Sequence, residues 1–160
     1  MKKYKNFSLT NYLAALSSRE PVPGGGSAAA LVGSSGVSLL IMVARYSLGK
    51  GKPKVVEAKI QRIIDQAQVG QRGLLALVDR DSQAYLAYSK IPKTNISAKK
   101  KASQEAARIP KEICRICYKT VCLTPTLVQH GNKYLISDLE IALEFLWAAY
   151  RSAFILTKQS

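Results

Sequence analysis

A chain of 160 residues with 48% hydrophobic side chains can bury a real core as one domain. Its 24 Lys and Arg against 10 Asp and Glu leave a formal net charge of +14, which attracts anions such as nucleic acid, an acidic membrane surface or a polycarboxylate ligand. The three clustered cysteines, Cys114, Cys117 and Cys122, argue against a disulfide framework and suit a reducing, cytoplasmic setting.

The N-terminal residues lack the short apolar core of a signal peptide. A first helix is expected over residues 8–18, with Leu9, Tyr12, Leu13 and Leu16 forming its apolar side at spacings of three and four. Pro21, Pro23 and the run Gly24-Gly25-Gly26 end it in a turning loop. Ser27 then stands as the natural N-cap of a second helix over residues 28–48. That helix is small or apolar on nearly every side, as expected of a central helix packed all round. It carries one charge, Arg45, and is long enough to span a bilayer. Gly33, Ser34, Ser35, Gly36 and Ser38 lower its hydropathy, so a buried helix is expected and no membrane partner. Gly49-Lys50-Gly51 ends it.

Pro53 announces a long third helix. Apolar or small residues recur at Val56, Ile60, Ile63, Ala67, Gly70, Leu74, Leu77, Ala84 and Tyr88, with a bend expected near Gly70 and Gly73. The same register lands on Asp81, a carboxylate where a buried apolar side chain is expected. Ser97 is a candidate cap for a fourth helix, which Pro110 should break or kink at Ile109. Pro125 kinks or ends the next stretch, and Gly131 and Asn132 form a turn. Ser137 with Glu140 three residues on reads as a capping box for a last helix. Together these segments predict an all-α antiparallel helix bundle with long, kinked helices, as a single domain over residues 1–160.

Several groups could carry chemistry. The N–H groups of Gly24, Gly25, Gly26 and Ser27 open a helix and favour an anion, although a capped turn explains them equally. Asp81, if buried, has a raised pKa and can shuttle protons; if turned to the rim, it pairs with Lys or Arg. Asp138 is an ordinary first-turn acid on its own. Cys114, Cys117, Cys122 and His130 could nominally bind zinc, but their geometry is poor, so no metal and buried apolar cysteines are expected. Lys93, Lys99, Lys100 and Lys101 form a basic face without any nucleic-acid motif, so a solvated face is expected.

The string Pro21-Val22-Pro23-Gly24-Gly25-Gly26-Ser27-Ala28-Ala29-Ala30-Leu31 closely resembles the opening motif of the formimidoyltetrahydrofolate cyclodeaminase and methenyltetrahydrofolate cyclohydrolase family. Met42-Val43-Ala44 with Gly49-Lys50, Asp79-Arg80-Asp81-Ser82-Gln83-Ala84-Tyr85, Ile91-Pro92, Ile109-Pro110, Gly131-Asn132 and Ser137-Asp138-Leu139 resemble later segments in the family's order. Leu156 stands near a usual asparagine, and Arg45-Tyr46-Ser47 near a more common Asn-Leu-Thr. The resemblance implies a homodimer with a folate site at its interface and no cofactor beyond the tetrahydrofolate substrate, which can carry a polyglutamate tail. It further implies Asp81 as proton carrier, with Gly24, Gly25, Gly26, Ser27, Lys50, Asn132 and Asp138 binding the substrate. The alternative is a non-catalytic scaffold that holds folate or binds nucleic acid through its basic face.

Overall fold

The computed structural model describes residues 2–49 and 51–158. Its helices are α1 (Leu9–Leu16), α2 (Gly25–Tyr46), α3 (Lys54–Ser89), α4 (Ile96–Val121), α5 (Thr124–His130) and α6 (Ile136–Thr157). Two short 3-10 turns, Tyr4–Asn6 and Lys133–Leu135, complete the order, and no strand occurs among the described residues. This is the expected all-α bundle.

Helix α2 is central because its small residues let neighbours close in. A Cβ at Gly33 would lie 3.2 Å from both Ala149 Cβ and Cys117 Sγ, and 3.3 Å from Leu74 Cδ1, so α3, α4 and α6 all meet there. A Cβ at Gly36 would lie 2.9 Å from the Ala142 carbonyl oxygen. Position 33 thus faces 149 while 36 faces 142, which makes α2 and α6 antiparallel. Position 26 faces Asp81 while 33 faces Leu74, which makes α2 and α3 antiparallel. Helix α2 is also long and apolar enough to cross a bilayer, but 61% of its most apolar window is buried within the bundle. The core adds Leu40, Ile60, Leu77, Ile113, Leu127, Leu139 and Leu146, all fully buried.

Helix α3 is one continuous long helix, as expected, and at Gly70 and Gly73 Ile116 of α4 fills the missing side-chain space; a Cβ at Gly73 would meet Ile116 Cδ1 at 3.0 Å. Other elements differ from the sequence expectation. Helix α4 continues through Pro110, so of the expected break or kink the break does not occur. Proline there sacrifices one backbone hydrogen bond, and burial of Ile109, Ile113, Ile116 and Cys117 along the same helix offsets that loss. Asn95, not Ser97, caps α4 by accepting from the Ala98 N–H at 3.1 Å. Ser137 lies inside α6, which has no side-chain cap. Of the expected apolar side of α1, Leu9 and Leu13 are exposed, and Tyr12 is its one buried residue.

The segment before α2 is held by aromatic packing. The Tyr4 ring meets Phe7 and Tyr12 edge-on, and its hydroxyl donates to the Val22 carbonyl at 3.1 Å. Buried Asp79 accepts from the Lys5 N–H at 3.2 Å and ties the same segment to α3.

Candidate active site

The first turn of α2 shows how the site is built. Gly24, not Ser27, is its N-cap residue, and it offers no side-chain acceptor. Ser27 is the third residue of the helix, where a donor is left without an intrahelical partner. Asp81 supplies the acceptor from α3: its Oδ2 takes the Ser27 N–H at 3.0 Å, across 54 residues of sequence. A Cβ on Gly26 would overlap Asp81 Oδ1 and lie 2.5 Å from its Cγ, so the carboxyl group occupies the space that glycine leaves. Asp81 is therefore a cap delivered by the tertiary fold.

Two opposing effects act on this carboxyl group. Burial disfavours its charged form and pushes its pKa above the ordinary carboxylate range. The Ser27 N–H pulls the other way, and burial wins. On the far side of Ser27, its fully buried hydroxyl meets the Tyr12 hydroxyl at 3.0 Å. Burial chiefly raises the Tyr12 pKa, the Ser27 hydroxyl opposes this, and the nearby Asp81 adds to the rise.

Asp81 lines a cleft of about 370 Å³ whose walls include Tyr85 and Tyr88 from α3, Ser103 and Pro110 from α4, and Leu156 from α6. Lys99 sits over the Tyr88 ring, 5.0 Å from its centroid. A second cavity of about 330 Å³ lies between α2 and α6, against Gly25, Ala28 and Val32. Leu156 lines both cavities. No atom approaches within 4 Å of a Cβ built on Gly24 or Gly25, so a ligand can reach this backbone directly.

The expected site residues fall into two groups. Gly24, Gly25, Gly26, Ser27 and Asp81 gather at the N-terminal end of α2. Asn132 sits at the other end, where its N–H donates to the Ser47 hydroxyl at 2.8 Å and its side chain accepts from the Tyr134 N–H at 3.1 Å. Half-buried Asp138 lies in the first turn of α6, also toward that end. The 22 residues of α2 separate the groups by about 33 Å within one chain. Lys50 lies outside the described residues. Tyr12, Tyr85, Ser103 and Leu156 were not singled out as site residues from the sequence. Tyr85 was within reach, because it lies one helical turn from Asp81; Tyr12 and Ser103 meet the site only through tertiary packing.

The cysteines take different environments. Cys117 is fully buried, and burial, with Cys114 beside it, pushes its thiol up to about 12, which makes it inert as a nucleophile. Cys122 is exposed, contrary to the expectation of buried cysteines, because it caps the end of α4. Among the described residues no three His, Cys, Asp or Glu side chains are gathered to hold a metal.

The family model described as formiminotransferase-cyclodeaminase matches residues 8–159. The chain belongs to this family. Methenyltetrahydrofolate cyclohydrolase of Methylorubrum extorquens is 30% identical over 158 residues, which cover 92% of this chain and 76% of that relative. Formimidoyltransferase-cyclodeaminase of Gallus gallus is 30% identical over 89% of this chain but only 28% of its own length, so this chain spans less than a third of that longer protein. The crystal structure of formiminotetrahydrofolate cyclodeaminase from Thermotoga maritima matches with a TM-score of 0.92 at 26% identity, covering 97% of this chain and 78% of that one. The family resembled by the Pro21 to Leu31 string is the family found.

Proposed function

We propose that this chain is a one-carbon folate enzyme, a cyclodeaminase or cyclohydrolase that forms or hydrolyses 5,10-methenyltetrahydrofolate. The observation that carries this reading is the Asp81 carboxyl group, set against Gly26 at an open helix N-terminus and facing a cleft. The names of the relatives supply the substrate class.

Both reactions need a proton moved between nearby atoms. In the cyclodeaminase direction, N10 of 5-formimidoyltetrahydrofolate attacks the formimidoyl carbon and loses its proton. The formimidoyl nitrogen, already protonated as an amidinium, gains that proton; its bond to carbon breaks, ammonia leaves, and the positive charge stays on the closed methenyl ring. In the cyclohydrolase direction, water adds to the methenyl carbon, the bond from that carbon to N5 breaks, and 10-formyltetrahydrofolate forms. One proton of the water passes to N5 and one leaves to solvent. A carboxyl group with a raised pKa is suited to receive and return such a proton near neutral pH. Neither reaction transfers electrons, so this reading includes no redox cofactor.

The same reading takes the protein as a homodimer with its site at the interface. Exposed Val32 on α2 and Ile141, Phe145 and Ile155 on α6 form an apolar stripe that continues into the cavity beside Leu156. Pairing two such stripes head to tail brings the Asn132 and Asp138 end of one protomer toward the Asp81 end of its partner. Lys99 on Tyr88, with exposed Lys100 and Lys101, offers positive charge to a glutamate tail near the cleft. Three free cysteines suit a reducing cytoplasm.

Methenyltetrahydrofolate absorbance tests the function. A rise with 5-formimidoyltetrahydrofolate assigns the cyclodeaminase, and a fall with the methenyl form above its uncatalysed rate assigns the cyclohydrolase. No change with either substrate overturns the proposal. Sedimentation showing only monomer at micromolar concentration overturns the interface site.

A further inference from the structure

We infer that Tyr12 is a positioning residue for Asp81, acting through the Ser27 hydroxyl. This rests on the reading of Asp81 as the proton carrier and assigns a role to a helix outside the bundle core. Tyr12 is the one buried residue of α1, at 3% exposure, while Leu9 and Leu13 of the same helix face outward. Its hydroxyl lies 3.0 Å from Ser27 Oγ, and the Ser27 N–H lies 3.0 Å from Asp81 Oδ2. The side chain of Ser27 is thus held from α1 while its backbone holds the acid on α3.

Ser27 is fully buried, so its hydroxyl has no water to turn to. The pair with Tyr12 fixes its orientation and, with it, the first turn of α2. That turn is glycine on both preceding positions and lacks a side-chain cap of its own, so little else stiffens it. The N–H donated to Asp81 stabilises the carboxylate and opposes the effect of burial. Other groups facing the acid are few. Helix α3 presents Tyr85 and Tyr88, α4 presents Ser103 with Lys99 above Tyr88, and α6 presents Leu156. No ionised cation is paired with Asp81 among the described residues, so the Ser27 N–H is the main group opposing burial.

Tyr12→Phe removes one oxygen and keeps the ring packed against Tyr4. The Asp81 titration, read by carbon-13 NMR of the side-chain carboxyl, is expected to move to higher pH. The acid limb of kcat/KM is expected to move with it, and kcat to fall roughly three- to tenfold, the size of one hydrogen bond, with KM less affected. Ser27→Ala, which keeps the N–H, is expected to move the titration the same way. The double variant should be no worse than either single one. An Asp81 titration that stays in place or moves down in both single variants overturns the inference, even if the melting temperature drops. The NMR titration needs no substrate, so it separates this inference from the reaction assigned above.

Discussion

Glycine at position 26 is what admits the Asp81 carboxyl group to the first turn of α2. A methyl group there would overlap Oδ1 and crowd Cγ at 2.5 Å. Gly26→Ala therefore forces Asp81 to turn away and give up the Ser27 N–H. The fold should survive at a cost of about 1–3 kcal/mol, the range for an added methyl in a packed site. Thermal melts should show a folded protein, and assays should show activity reduced as far as in Asp81→Asn. A Gly26→Ala protein with parental kcat would contradict this arrangement.

The raised pKa of Asp81 makes a claim about stability. A carboxyl group whose folded pKa lies above its unfolded value contributes stability below the unfolded pKa and loses it as pH rises through the folded one. At neutral pH, holding this acid in its buried place costs stability. Asp81→Asn keeps an oxygen for the Ser27 N–H and removes that cost. Its melting temperature should exceed that of the parent at neutral pH, and the gap should close as pH falls below the unfolded carboxylate pKa. Melts across that range check it, and an Asn variant less stable at neutral pH would count against burial as the dominant effect.

Leu156 lines both the Asp81 cleft and the cavity between α2 and α6. Leu156→Ala should open one into the other and loosen the ligand. The expected result is a KM raised roughly tenfold or more, the usual penalty for a missing apolar contact in a pocket, with kcat changed less. Steady-state kinetics separate the two parameters.

Gly36 offers a contrast remote from the acid. A Cβ there would lie 2.9 Å from the Ala142 carbonyl oxygen and 3.1 Å from Leu146 Cγ. Backbone cannot turn aside as a carboxyl group can, so Gly36→Ala should push α2 and α6 apart. A loss of about 1–3 kcal/mol is expected in denaturant titration. The Asp81 titration should not move.

Much of this was legible in the sequence because it depends on local pattern. The small residues of the second segment marked the central helix, and the three-four spacing of the third one delivered Asp81 to a partly buried face. What escaped depends on groups far apart in the chain. Ser27 looked like a cap because serine before an apolar run usually is one, whereas the acceptor came from Asp81, 54 residues later. Pro110 points to a break or a kink because its local cost is plain, while the burial that keeps the helix unbroken there is tertiary. The distance within one chain between the glycine turn and Asn132, which the Ser47 hydroxyl holds at the opposite end of α2, is likewise set by groups far apart in sequence.

In the mechanism proposed, the Asp81 carboxyl group carries the proton in folate turnover. The direct measurement is single-turnover conversion of bound substrate by Asp81→Asn, with folate affinity measured on the same protein by calorimetry. The expected result is parental affinity and a chemical step slowed by roughly a hundredfold or more, the usual contribution of a general acid or base. Unchanged single-turnover rates with folate bound would contradict it.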